Sequence, residues 1–536
     1  MADRRSSTSE GGGMESFEYV IVGAGSAGCV LANRLSTDSA VRVLLLEAGP
    51  ADDAPQIHMP GASFSMFKTE LDWDYTTVPL ATTGHRQYMP RGRMLGGSSS
   101  INAMIYMRGN PADYDHWRDG FGAQGWGYAD LLPYFVRAED NARLAGPVHG
   151  QGGPLRVEDP LEIHELQHAW LDAAVKWGLP VNDDFNSGTQ VGVGPYQLTC
   201  RDGRRWSTAD AYLRPALDRD NLVVRTGAVT SRIVLERGRA RGVVYRNETG
   251  EHTVAAEAEV LVCTGAIGSP QLLMLSGIGP ADQLRGLGLD VAVDLPGVGA
   301  NLHDHPTAGV AWATKGTTDL GQLAATAEAA EQWQREHRGP LASNFADAGG
   351  FLATDGHPDL PDIQFYPVAT GYHDNALRPV PMAGFTVAAT LITPRSRGRL
   401  QLASSDPTAK PEIDLGFYQD PADFDALLAG TRALLDIARC EPLAGFLDTP
   451  YLPDVANPDE EILAAHIRRW TQTMYHPAGT CAMGTDERAV VDPQLHVRGV
   501  EGLRVIDASV MPSPLRGNTN APTITIAEKA SDLLRI

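Results

Sequence analysis

The hexapeptide Gly23-Ala24-Gly25-Ser26-Ala27-Gly28, followed by Glu47, carries the first chemistry legible in this chain. In a glycine fingerprint of this spacing Gly23 permits a tight turn, Gly25 lets a pyrophosphate approach the backbone, and Gly28 lets a helix pack on a strand. The N–H groups at the helix start then face the phosphates, and Glu47 is placed to accept hydrogen bonds from ribose hydroxyls. The motif predicts a dinucleotide site and leaves NAD and FAD undecided. His303-Asp304-His305 resembles a metal-ligand pattern, but no further ligand cluster accompanies it. It reads as a structural loop, and no metal is expected. Cys29, Cys200, Cys263, Cys440 and Cys481 lie far apart without a CxxC pair, which suggests neither zinc nor a disulfide framework and fits a reducing cytoplasm.

The elements that must hold the fingerprint are also visible. Phe17 to Val22 is β-branched and aromatic, Cys29 to Leu35 has helical spacing, and Val41 to Leu46 reads as a second buried strand. Together they make a βαβ unit of about 30 residues. From Pro50 to Gly125 the chain is rich in Gly, Pro, Ser and aromatics with little periodicity, the character of ordered loops that serve a site. Strand-like runs return at Leu222 to Val224, Val243 to Tyr245 and Val260 to Val262, the last leading into an apolar helix through Leu275. From about Gly316 to Tyr475 the pattern changes to patches such as Gly384 to Ile392 and helical stretches at Asp423 to Ile437 and Asp459 to Thr471. Antiparallel strands with helices on one side suit it.

A net charge of −22 argues against a nucleic-acid partner, which needs a basic footprint. Met1 to Gly13 is polar and glycine-rich without an apolar core, so a disordered tail is expected there, neither signal peptide nor span. No apolar run approaches the roughly 20 residues a spanning helix needs. The expected location is the cytoplasm, with at most peripheral contact with the inner membrane face.

Gly92-Arg-Met-Leu-Gly-Gly-Ser-Ser-Ser-Ile-Asn102 and Gly265-Ala-Ile-Gly-Ser-Pro-Gln-Leu-Leu-Met-Leu-Ser-Gly-Ile-Gly279 resemble the two signature motifs of the glucose-methanol-choline flavoprotein family. Tyr475-His476-Pro477-Ala478-Gly479-Thr480, Asp507-Ala508-Ser509 and Gly517-Asn518-Thr519-Asn520-Ala521-Pro522 resemble it too, in the family's order, so the likeness runs from Phe17 to the end. It implies FAD as cofactor and an α/β fold: a doubly wound, Rossmann-like FAD-binding domain plus an α+β substrate domain with an antiparallel sheet. The expected division is a tail at 1–16, FAD-binding segments 17–165, 210–312 and 476–536, and substrate-domain segments 166–209 and 313–475.

Carried over residue by residue, the resemblance implies cofactor contacts at Gly23, Gly25, Ser26, Gly28, Glu47, Ala48, Arg91, Gly96, Ser99, Asn102, Ala103, Met104, Val229, Ala266, Asp507, Ala508, Asn520 and Pro522. Val229 would meet the adenine through its backbone, and Asn102 to Met104 would lie against the flavin ring. Relatives with a histidine at the position of Ile101 bind the flavin covalently; isoleucine cannot, so a non-covalent FAD is expected.

Removing a hydride from a carbinol carbon needs a base for the hydroxyl and an electrophilic flavin N5. His476 matches the family's catalytic histidine, and Asn520 is matched to the position that hydrogen-bonds the substrate oxygen. The expected reaction is oxidation of a primary alcohol, medium-chain aliphatic or aromatic, to an aldehyde. Choline is the alternative, because Asp347 falls where choline enzymes carry an acid, and Phe345 and Tyr475 could hold a quaternary ammonium. Electrons would pass to oxygen, a quinone or another carrier. Met474, by crowding oxygen, leans toward a dehydrogenase. Hydroxynitrile lyases and a fatty acid photodecarboxylase share this fold and keep a non-redox reading open.

Overall fold

Strands Ser16–Val22 and Val43–Leu46 pair in parallel, with helix Ser26–Leu35 between them in sequence, in a computed structural model that describes residues 14–378, 380 and 382–534. The tail expected at 1–16 falls outside the described residues up to residue 13. Leu222–Arg225 adds in parallel beyond Val43–Leu46, and Gly250–Val262 adds in parallel on the other side of Ser16–Val22. The C-terminal half of Gly250–Val262 also pairs in parallel with Leu503–Val505, while its N-terminal half forms an antiparallel meander with Arg239–Asn247 and Val229–Glu236. The parallel strands are continuous apolar runs because both faces are covered; all four residues of Val43–Leu46 are buried. Helix Ser26–Leu35 packs on the final helix Asn520–Leu533, where the buried Glu528 carboxylate is met by Arg34 and Arg137, each at 2.7 Å.

The second sheet is antiparallel, in the order Leu447–Leu452, Pro306–Thr314, Gly384–Leu391, Ile363–Val368, Ala348–Leu352, Gly192–Pro195, with Gln472–Thr473 also pairing with Pro306–Thr314. Gly384–Leu391 is buried throughout because its two faces meet different things. Phe385, Val387 and Ala389 belong to the hydrophobic core on the side where helix Pro421–Ala438 packs against the strand, while Thr386 and Ala388 look into a cavity. Thr307 and Gly309 repeat that alternation on the neighbouring strand. Small residues at these positions leave the volume of the cavity open.

The Pro50 to Gly125 stretch holds only short elements, among them the two-residue pairing of Tyr75–Thr76 with Tyr88–Met89 and helix Pro111–Gly120. Asp72 ties it together by accepting hydrogen bonds from the N–H groups of Lys68, Asp74 and Arg91 and from the Tyr88 hydroxyl. Among the described residues no helix is long and apolar enough to cross a membrane.

Candidate active site

One cavity of about 660 Å³ is lined from both sheets and from the loops between them. At one end stand Gly23, Gly25 and Ser26, with Glu47, Ala48 and Val229 beside them. Gly23 has φ +96°, and a Cβ there would lie 2.6 Å from the Cys263 carbonyl oxygen, so the turn requires glycine. Glu47 accepts the N–H groups of Ala24 and Gly49 at 2.9 and 2.8 Å, which leaves further acceptor capacity on its carboxylate. Asp507 plays a matching part at the start of helix Gly265–Leu275, accepting from Gly265 N at 2.8 Å and from the Ser269 hydroxyl. Burial raises the carboxyl pKa of both acids, and these donors oppose the rise.

The wall continues through Ala266, Ala508, Arg91 and the Asn102-Ala103-Met104 segment. Met104 sits at φ +61°, and its N–H donates to Asn102 Oδ1 at 3.0 Å. Arg205, fully buried, clamps this segment by donating to Asn102 O at 2.6 Å and Asn102 Oδ1 at 2.8 Å, and it reaches Ser63, Ser99 and Ile57 as well. All its acceptors are neutral, and burial lowers its pKa to about 10.

His476 lines the same cavity. Its backbone N–H donates to Asp304 Oδ1 at 2.9 Å, and the preceding carbonyl, of Tyr475 at φ +65°, accepts from Arg91 Nη1 at 2.6 Å. The ring is held at both nitrogens: Nδ1 is 3.0 Å from His305 Nδ1, and Nε2 is 3.1 Å from Asn518 Nδ2. Asn518 Oδ1 accepts from Gln364, so its amide nitrogen faces His476 and can only donate. Nε2 of His476 is therefore the acceptor and Nδ1 carries the proton. His305 takes that proton on a bare Nδ1. Burial, with the neighbouring His305 and Arg91, holds His476 well below the usual histidine range, and burial lowers His305 to about 4, so both imidazoles are neutral at pH 7.

The chain matches the GMC oxidoreductase family over residues 17–307 and again, in its C-terminal part, over 394–527. It belongs to that family. This GMC oxidoreductase is 39% identical to an alcohol dehydrogenase [acceptor] of Pseudomonas putida, over 97% of this chain and 95% of that one. It is 40% identical to the mitochondrial choline dehydrogenase of Homo sapiens, over 97% and 90%. The crystal structure of pyridoxine 4-oxidase from Mesorbium loti superposes with a TM-score of 0.89 at 33% identity, covering 96% of this chain and 98% of that one.

FAD is the family's cofactor, and the residues present fit it. The glycine turn and Glu47 make a cradle for an adenosine diphosphate. In the same wall Thr230 Oγ1 is buried without a hydrogen-bond partner among the described residues, where a ligand can supply one.

Five of the expected contacts do not line the cavity of this GMC oxidoreductase. A Cβ on Gly28 would lie 1.9 Å from Gly23 O, so Gly28 serves packing. Gly96 donates to Ala24 O at 2.8 Å and shapes the neighbouring turn, and the Ser99 hydroxyl is taken by Gly96 O and Thr208. Pro522 is buried in the first turn of the final helix. Asp347 lies behind Phe345 with its Oδ2 accepting from Ser343, and burial raises it to about 7. The Asn520 match is displaced by two residues. Asn520 begins the final helix and accepts from the Ser26 hydroxyl at 2.7 Å, whereas Asn518 is the asparagine beside His476. The His303-Asp304-His305 loop, read as merely structural, supplies two of the groups that hold His476. Phe345 and Tyr475 do line the cavity.

Proposed function

We propose that the protein oxidises a primary alcohol to an aldehyde, with His476 as the base. The observation that carries this reading is the pairing of an unprotonated His476 Nε2 with the Asn518 amide N–H in the cavity that Asn102 to Met104 also line. Nε2 accepts the hydroxyl proton, and the Asn518 N–H donates to the oxygen as negative charge gathers on it. His305 keeps the proton on Nδ1 and so keeps Nε2 unprotonated. Bound FAD supplies the acceptor for the carbinol hydride. Ile101 lines the cavity and offers no nucleophile, which supports a non-covalent flavin. Acid precipitation then releases the yellow colour to the supernatant.

A neutral substrate fits best. The carboxylates in the described lining are Glu47, Asp72 and Asp507, each engaged by backbone N–H groups, and Asp347 does not line it. Around His476 the lining is aromatic: the Phe64 and Tyr372 ring centroids are 5.4 Å apart, and those of Phe67 and Tyr475 are 6.1 Å apart. The same rings favour choline as the second reading, since aromatic faces hold a quaternary ammonium. Anaerobic titration of the holoenzyme with 1-octanol, benzyl alcohol and choline tests both. Bleaching by a neutral alcohol supports alcohol oxidation, bleaching by choline alone establishes the second reading, and no bleaching removes both in favour of a non-redox reaction. Admitting air afterwards reads the electron acceptor from the rate of recolouring.

A further inference from the structure

Three side chains in the described cavity lining keep buried polar atoms without a hydrogen-bond partner: Thr230, Tyr366 and His373. Thr230 stands at the dinucleotide end. The Tyr366 hydroxyl is beside Asn518 at the reacting end, without a hydrogen bond of good geometry to it. His373 belongs to neither group, and both of its ring nitrogens are unpaired.

Its neighbours in the chain are nevertheless tied down, and its ring packs against two aromatic side chains. Tyr372 N–H donates to Thr386 Oγ1 at 2.8 Å, which ties the segment to the antiparallel sheet. On the other side of the histidine, the Gln472 carboxamide oxygen, in the amide orientation that satisfies both its atoms, accepts from Asp374 N at 2.8 Å and Asn375 N at 3.3 Å. The imidazole meets Tyr451 and Trp470 edge to face, with centroids 5.7 and 5.6 Å away. Tyr372, Tyr475 and Asn375 hydrogen-bond to one another through their side chains and leave the histidine alone. A rigid imidazole with one donor and one acceptor, both dry and unused, is costly unless a ligand completes it. Burial keeps it neutral, so it offers one hydrogen bond in each sense and no fixed charge.

We propose that His373 is a specificity-determining residue that binds a second polar group of the substrate, making the preferred substrate a bifunctional primary alcohol. Its carbinol lies at His476 and Asn518, its body is apolar or aromatic, and a neutral hydroxyl, carbonyl or ring nitrogen at its other end meets His373. This deepens, and rests on, the reading of the cavity as an alcohol-oxidising site. An unfunctionalised alkanol leaves both nitrogens unpaired, and a site built for a polar group discriminates strongly against an analogue that lacks it.

The test uses FAD-loaded enzyme and matched pairs: 1,4-benzenedimethanol against 4-methylbenzyl alcohol, and 1,n-alkanediols of four to ten carbons against 1-alkanols of equal length. In at least one pair the bifunctional member should show kcat/KM about tenfold higher after halving for its two equivalent ends. His373→Phe should lower kcat/KM for that member at least fivefold more than for its partner, and His373→Gln, which keeps a donor and an acceptor, should restore part of the difference. No preference in any pair, or equal loss of both members in His373→Phe, would overturn the assignment. Dissociation constants from flavin difference spectra separate this from failure of the parent reading. If no alcohol bleaches the flavin, alcohol oxidation falls, and the diol-to-alkanol affinity ratio still decides His373: its loss in His373→Phe supports the site, its persistence refutes it.

Discussion

His305 and His476 face each other through their Nδ1 atoms at 3.0 Å, with ring planes 80° apart, and only one of the two nitrogens can carry the shared proton. The Asn518 amide donates to His476 Nε2, which puts the proton on His476 Nδ1 and leaves His305 Nδ1 as the acceptor. His476 is thereby held in one tautomer. Replacing His305 with Phe leaves a buried N–H unpaired and should lower kcat/KM on the order of tenfold to a hundredfold. His305 is a positioning residue, so pH profiles decide its role. Without its neighbour His476 should titrate higher, moving the acid limb of kcat/KM upward, and His305→Asn, which keeps an acceptor, should recover part of the rate. An unmoved limb would mean the contact is only packing.

Asn518 and Asn520 give opposite expectations although they lie two residues apart. Asn518→Ala removes the donor beside His476 Nε2 and should cost about 10²-fold in kcat. Asn520→Ala breaks the 2.7 Å bond from Ser26 and should weaken FAD binding by about 1 kcal/mol while kcat of the loaded enzyme falls much less. Steady-state kinetics and flavin titration of both variants separate the two. A larger kcat loss in Asn520→Ala would restore the family match as first drawn.

The pH dependence follows from a base whose pKa is depressed. His476 loses its proton well below 6.5, so the free base is fully present at neutral pH, and activity should disappear only as pH falls through that lowered value. In kcat/KM against pH from 5 to 8, the plateau should extend below 6.5. An acid limb centred at or above 6.5 in the holoenzyme would contradict a neutral, buried His476.

Asp347 makes a stability prediction of its own. Its carboxyl titrates at about 7 in the fold and near the ordinary 3.8 in the unfolded chain. Its contribution is therefore complete below about 3.8 and is lost as pH rises toward 7. Asp347→Asn should remove a penalty on the order of 2 kcal/mol at pH 8 and flatten the fall in Tm between pH 5 and 8. Turnover of a neutral alcohol should be retained. A large rise in KM for that alcohol would place Asp347 in substrate binding after all.

Much of the first layer was legible because its physics is local. Gly23, Gly25 and Glu47 occupy positions fixed by one turn and two strands, and the uninterrupted apolar runs of a parallel sheet announce themselves without partners. The alternation in Gly384–Leu391 was harder to read. Both faces are buried, one under helix Pro421–Ala438 and the other against the cavity, so its residues show no polar stripe. Arg205 gave no signal at all. A lone arginine in sequence looks like surface, and only the fold surrounds it with the carbonyls of Ile57, Ser99 and Asn102.

By itself the sequence determined the family and the glycine turn, and it singled out His476 as the candidate base, because each is written in a contiguous run whose chemistry does not depend on distant residues. The tertiary structure decided which groups complete the site. His305 reaches His476 across 171 residues, and Asn518 rather than Asn520 faces its ring because the final helix begins at Asn520 and turns that side chain toward Ser26. Such choices depend on where a helix starts and how two sheets are set against each other, and neither is encoded in the residue types of the motif alone.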